Sequence, residues 1–253
     1  VVQWVITLFM ILAGTNFALF WHASRGRPER LTRNPEFRAY LLAITSIGAV
    51  LATLLFLGPG LAETPSGIPT IPGDLEHALR QALFQAAAIV TTTGYASMDF
   101  NTWSTPAKYV LLFAMFLGGS VGSAAGSVKI IRWYVVLMSI HRELFTTGRP
   151  SAVRPVRFGG EVLDEETVRG VLVFTLLFLV FFFVATGLLF FDVVRTGMDL
   201  SLLEATSATV AILGNVGPGF GIVGPMNGYL PFSDAAKLFM VFLMWIGRLE
   251  IVS

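Results

Sequence analysis

The sequence predicts an all-α membrane protein assembled from repeated units of helix, short re-entrant helix and helix. Three observations carry that prediction. The 253 residues are 55% hydrophobic and only 13% charged, with a mean hydropathy of +0.73, whereas a soluble domain carries about 25% charged residues. Uncharged stretches cover residues 1–24, 39–62, 81–98, 109–128, 170–191 and 205–233, and several reach the roughly 20 apolar residues needed to cross a bilayer. A pattern also recurs along the chain, and an internal repeat dictates architecture more firmly than a hydropathy window does.

The repeat aligns Ala107, Lys108, Phe113, Met115 and Gly118 with Ala236, Lys237, Phe242, Met244 and Gly247 without a gap. Upstream, Leu79, Ala82, Ala88, Ile89 and Gly94 match Leu202, Ala205, Ala211, Ile212 and Gly217. Further upstream each copy has a long apolar segment, 39–57 and 168–191. A partial third copy opens the chain, where residues 10–15 match 115–120. The expected organisation is therefore the last helix of an upstream unit with its linker (1–38), a full pore unit (39–163) and a final unit (164–253), truncated at both ends.

Within each unit the middle segment is too short to span. Residues 75–90 make only about 24 Å of helix at about 1.5 Å per residue, and the segment starts polar, with Asp74, Glu76, His77, Arg80 and Gln81. It must enter the membrane and return before Pro106. Irregular backbone at that depth is tolerated only where protein or a water-filled path satisfies its polar groups, which implies a pore or cavity.

Basic residues set the orientation. Arg25, Arg27, Arg30, Arg33 and Arg38 fill one connecting stretch, and Arg142, Arg149, Arg154, Arg157 and Arg169 fill another; both are expected to be cytoplasmic. The glycine-ended loops are flanked by Glu63, Asp74, Asp99, Asp192, Asp199 and Asp234, so they face outside. Trp21, Trp103 and Trp133 lie near span ends and read as interfacial anchors, and Lys129 and Arg132 read the same way. The net charge of +1 argues against a nucleic-acid partner. There is no cysteine and there are three histidines without paired spacing, so no enzyme, no thiolate chemistry and no organic cofactor are expected.

Two loops carry candidate chemistry. Thr91-Thr92-Thr93-Gly94-Tyr95 and its counterpart Gly214-Asn215-Val216-Gly217-Pro218 contain no carboxylate. A dehydrated cation the size of potassium needs several oxygens at fixed distance, and backbone carbonyls supply them without trapping the ion. Thr92, Thr93, Asn215 and Val216 are the expected carbonyl ligands, together with Gly94 and Gly217 and flanked by Tyr95 and Pro218. An isolated Thr-Gly-Tyr is equally a helix C-cap with a left-handed glycine. Its recurrence at equivalent places in two units favours a filter.

The run from Phe116 to Lys129 holds Gly118, Gly119, Gly122 and Gly126. Glycines at 118, 122 and 126 could form a close helix-packing seam, yet each glycine weakens a helix by about 1 kcal/mol, so a broken helix or hinge is the competing reading. Arg248 lies fourteen residues past Asp234, about 21 Å along a helix and still within a hydrocarbon core of about 30 Å. It either snorkels to the interface beside Glu250 or faces a polar interior.

Thr92-Thr93-Gly94-Tyr95 resembles one quarter of a potassium-channel signature. Together with the glycine-rich run, the loop 214–221 and the end Met244-Trp245-Ile246-Gly247-Arg248, it resembles the Trk-type membrane subunit of the Trk/Ktr/HKT superfamily over nearly the whole chain. The resemblance implies a potassium-channel-like pore of four such units, with Gly118, Gly119, Gly122, Gly126 and Arg248 forming an intramembrane gate below the filter. It implies transport of potassium, with sodium as a second candidate cation, in a bacterial cytoplasmic (inner) membrane. It further implies a cytoplasmic nucleotide-binding regulatory subunit as partner, a homodimer, and contact with membrane lipid. An ion-coupled secondary carrier with broken helices is the alternative, although each unit here makes two full crossings, so successive units run parallel rather than inverted.

Overall fold

The computed structural model describes residues 1–26, 29–57, 74–149 and 154–248. Helices α1 (Val2–Ala13) and α2 (Phe17–Ser24) meet at a 99° bend. A short α3 (Glu29–Arg33) leads into α4 (Pro35–Leu57). Next come α5 (Leu75–Val90), α6 (Thr105–Ala114) and α7 (Ile130–Gly148), followed by α8 (Glu165–Thr196), α9 (Leu202–Leu213) and α10 (Asp234–Arg248). The order long helix, short helix, helix thus occurs twice.

Lengths follow from the side chains available. Helix α4, with 23 residues, spans about 34 Å, and α8, with 32, about 48 Å, longer than a hydrocarbon core of about 30 Å. Both are apolar enough to cross a membrane. Along α8, Thr175, Phe178, Phe182, Ala185, Leu189 and Val193 are buried at helical spacing, while Leu176, Val180, Phe183, Leu188 and Phe191 on its other faces are exposed and equally apolar. A helix apolar all round belongs in lipid. Its ends are capped conventionally: Asp164 accepts the Thr167 N–H, and the Thr167 side chain together with that N–H holds its carboxyl below the usual range, while Gly197 closes the helix in the left-handed conformation.

The short helices begin where the sequence turns polar. Asp74 accepts the His77 N–H at the start of α5, and Ser201 with Glu204 forms a reciprocal capping box at the start of α9. Helix α5 then packs along α4, with the Leu83 side chain filling the space beside Gly48. Buried Ala82, Ala86, Ala87, Ala88 and Ile89 and their counterparts Ala205, Ala211 and Ile212 allow the close approach.

The second crossing of each unit keeps register in burial as well as in sequence. Ala107, Leu111 and Ala114 of α6 are buried, as are Ala236, Met240 and Leu243 of α10. The units diverge after that point. Helix α10 continues through Gly247, whereas α6 stops at Ala114 and the chain runs irregularly until Ile130.

The helical fold agrees with expectation, with one small addition and three residues to correct. The fold is helical throughout except for a small antiparallel hairpin, Arg157–Phe158 with Glu161–Val162. It lies in the arginine-bearing connecting stretch expected to be cytoplasmic and is anchored because Val156 packs against Val135 and Val168. Trp103 is not an interfacial anchor but buried, 3% exposed and edge-on to Phe100. Lys129 and Arg132 are buried as well, at 5% and 8% exposure; Lys129 donates to the Ala125 carbonyl, and Arg132 lies over the Phe174 ring at 3.8 Å. Arg27, Glu63 and Glu250 lie outside the described residues.

Candidate functional site

The two short helices end in matching turns. In the first, the N–H groups of Thr92, Thr93 and Gly94 donate back to Ile89, Ala88 and Ala88 at 3.0, 2.9 and 3.1 Å. In the second, those of Asn215, Val216 and Gly217 donate to Ile212, Ala211 and Ala211 at 3.1, 2.8 and 3.3 Å. Each loop thereby spends its donors on its own helix. Among the described residues no donor reaches the carbonyls of Thr92, Thr93, Gly94, Asn215 or Val216.

Backbone conformation explains how those oxygens come to be spare. Thr92 (φ 52) and Gly94 (φ 71) are left-handed with Thr93 between them, and Asn215 (φ 56) and Gly217 (φ 106) repeat the alternation around Val216. Positive φ at every second residue turns the peptide planes so that donors and acceptors face opposite sides. For a β-branched residue such as Thr92 this conformation is a true outlier, costing about 1–3 kcal/mol unless its surroundings impose it. The Thr92 hydroxyl supplies one such restraint, accepting the buried Gly126 N–H at 2.7 Å.

The loops also meet. A Cβ on Gly94 would collide with the carbonyl oxygen of Val216 and lie 3.1 Å from Cδ of Pro218. Both helix C-termini therefore converge, with their partial negative ends directed toward the same region. The oxygens on offer are neutral, and among the described residues no group of three or more His, Cys, Asp or Glu gathers to hold a metal ion.

One expected oxygen is engaged elsewhere. The Gly217 carbonyl accepts the Tyr229 hydroxyl at 2.7 Å, so it joins the return segment rather than the free set. Tyr95 is exposed and Pro218 partly so.

The glycine-rich segment packs directly beneath. A Cβ on Gly126 would sit 2.5 Å from the Gly214 carbonyl and 3.1 Å from Asn215 Cβ, and one on Gly118 would strike the Gly126 carbonyl. Its ends are clasped by a parallel bridge between Leu117 and Val128, with the Gly118 N–H donating to Val128 at 2.8 Å. On the other side it meets the α1–α2 bend: the Ser120 N–H donates to Gly14 at 2.9 Å, and the Phe17 N–H to Gly122 at 3.2 Å. A cavity of about 150 Å³ borders the segment, lined by Ser123, Gly126, Ser127, Lys129, Gly247 and Arg248 among others. The Arg248 guanidinium donates to the Ala124 carbonyl at 2.9 Å. Gly126 and Arg248 thus border one cavity, while Gly118 packs on Gly126, and Gly119 and Gly122 face the α1–α2 bend at Gly14 and Asn16.

The family model for TrkH, described as a cation transport protein, matches residues 1–253. The chain belongs to the TrkH family. Its relatives include the Trk system potassium uptake protein TrkI of Halomonas elongata, 31% identical over 251 residues that cover 99% of this chain and 47% of the relative. TrkH of Vibrio parahaemolyticus is 35% identical over 251 residues, covering 98% of this chain and 48% of that protein. The crystal structure of the potassium transporter TrkH from Vibrio parahaemolyticus superposes with a TM-score of 0.81 at 32% identity, covering 98% of this chain and 50% of that one. The chain spans about half the length of the curated relatives it matches. As a TrkH-family chain with apolar spanning helices, it is an integral membrane protein.

Several residues that shape this TrkH-family site escaped the sequence reading. Asn101 grips Gly221 with both ends of its amide, accepting the N–H at 2.8 Å and donating to the carbonyl at 3.3 Å, and so joins the two return segments. Phe100 and Phe220 stack edge-on behind it, 5.7 Å apart. Tyr229 and Glu36 belong to the same group. A lone Asn, Tyr or Glu in a loop has no periodic signature, and only the closeness of Asn101 to the acidic Asp99 hinted at its role.

Proposed function

We propose that this chain forms part of a potassium-transporting pore in which the carbonyls of Thr92, Thr93, Gly94, Asn215 and Val216 replace the hydration shell of the ion. Sodium is the second candidate cation. The observation that carries the reading is the pairing of the two loops: each uses its N–H groups on its own helix, each alternates left-handed residues, and the two touch at Gly94 and Val216. Carbonyl rings of that kind dehydrate a monovalent cation without binding it too tightly to leave. The names of the relatives, as potassium uptake proteins, agree with it.

The reading extends to the organisation of the chain. Residues 39–163 and 164–253 act as two pore units, with 1–38 completing an upstream one, and further units belong to the rest of the protein. The segment with Gly118, Gly119, Gly122 and Gly126 is the gate, and Arg248 sets its electrostatic barrier. Filter loops face outside across a bacterial inner membrane. The protein works as a homodimer in lipid, with a nucleotide-binding regulatory subunit on its cytoplasmic face, near Arg142, Arg154 and Arg157.

Uptake of rubidium by the complete protein, in cells lacking other potassium systems, tests this directly. Saturable uptake competed by potassium is expected. Protein that inserts correctly yet moves neither potassium nor rubidium would overturn the reading.

A further inference from the structure

The gate segment has an electrostatic problem. An extended glycine and serine run inside the membrane exposes N–H and C=O groups that no helix ladder satisfies. Backbone partners from the α1–α2 bend meet some of them: Ser120 donates to Gly14, Ala124 donates to Ala13 at 3.4 Å, and Gly122 accepts from Phe17. The Thr92 hydroxyl and contacts within the segment meet others, and three more fall to charged side chains from three different elements.

Two of those are cations on adjoining carbonyls. Arg248 of α10 donates to Ala124, and Lys129, which caps α7, donates to Ala125 at 2.5 Å. The third is a carboxylate. Glu36 Oε1 accepts the Val121 N–H at 2.6 Å, across 85 positions of sequence, and its charge interacts with that of Lys129.

Glu36 sits in the first turn of α4, where an acidic residue is ordinarily an exposed complement to the helix dipole. Here Asn34 already caps the helix by accepting the Phe37 N–H at 3.0 Å, and Glu36 is 6% exposed. Tyr40, one turn on and on the same face, donates its hydroxyl to the Ile11 carbonyl at 3.0 Å. A buried carboxylate is costly unless its partners compensate it, and capping alone needs no burial. The partners present are the tip of the glycine-rich segment and the lysine that follows it.

We infer that Glu36 is a positioning residue for the intramembrane segment, its carboxylate pinning Val121 against α4 while Lys129 and Arg248 hold the next two carbonyls. This deepens the gate reading above and rests on it. Removing the carboxylate strands the Val121 N–H, so the segment's tip is released toward the cytoplasmic side.

The test uses the complete protein in a cysteine-free background with Val121→Cys, whose side chain is exposed. Inside-out vesicles are treated with a cationic, membrane-impermeant thiol reagent, and rubidium flux is measured in parallel. Adding Glu36→Ala is expected to raise the modification rate roughly tenfold, the scale of one lost charge-assisted hydrogen bond. Glu36→Gln keeps an acceptor oxygen without the charge and should fall between. An unchanged rate in either inserted variant overturns the inference, so Glu36→Gln decides it should Glu36→Ala fail to insert. A raised rate with raised flux supports both anchor and gate. A raised rate with unaltered flux supports the anchor and removes the gate reading.

Discussion

The carbonyl oxygen of Val216 occupies the space that a methyl group on Gly94 would need. The two residues sit 122 positions apart, yet each follows a short helix with the same cap, the same donor pattern and the same alternation of φ. Closeness at this point makes the loops one structure rather than two.

Gly94→Ala follows from that contact. The added Cβ collides with backbone, which cannot swing aside as a side chain can, and φ 71 is itself unfavourable for alanine by about 1 kcal/mol. Loss of at least tenfold in rubidium uptake, or loss of discrimination among alkali cations, is expected while the protein still inserts. Wild-type uptake with wild-type selectivity would refute the filter assignment.

Thr92 separates a hydroxyl's role from a carbonyl's. Thr92→Val keeps the volume and branching but leaves the buried Gly126 N–H without an acceptor, a cost of about 1–3 kcal/mol. Thr92→Ser keeps the acceptor. The valine variant should melt several degrees lower in detergent and the serine variant should stay near wild type. Equal melting temperatures would show that this bond does not hold the glycine-rich segment to the loop above it.

How far the sequence could be read depended on whether a feature was periodic. The expected short helix over 75–90 coincides with α5, because its polar start and glycine end are local signals repeated by α9. The burial of Ala107 with Ala236 and Leu111 with Met240 likewise follows a pattern visible in the alignment. Lys129, Arg132 and Trp103 depart from the sequence expectation for the opposite reason. A charge or tryptophan at the end of an apolar stretch resembles an interfacial anchor, and only the third dimension reveals that the chain folds back over it. The same holds for Glu36, Asn101 and Tyr229, whose partners are remote backbone groups. The engagement of the Gly217 carbonyl was invisible because it depends on where a single hydroxyl twelve residues later returns.

Asn101 joins the two return segments through a two-way bond to Gly221. Asn101→Asp can still accept the Gly221 N–H but sets a carboxylate oxygen against the Gly221 carbonyl, whereas Asn101→Ala loses both bonds. Each should destabilise by about 1–3 kcal/mol, with a lower melting temperature of the purified protein. Because Phe100 and Phe220 hold the same junction, insertion should survive. Unchanged melting in both variants would show that the two return segments are joined by the aromatic contact alone.

Arg248 meets the glycine-rich segment from α10. Its guanidinium is tied to the Ala124 carbonyl and borders the cavity beside Gly126 and Ser127. A permeating cation passing about 8 Å away would meet a repulsion of ~2 kcal/mol at an effective dielectric constant of about 20. Arg248→Ala removes that repulsion together with one tether of the segment, so flux should rise severalfold or more. Arg248→Lys preserves the charge but not the planar donor geometry. If charge is the barrier, lysine keeps flux low; if the tether matters more, lysine resembles alanine. Rubidium uptake by the three proteins distinguishes these outcomes, and equal uptake by all three would move Arg248 out of the permeation path altogether.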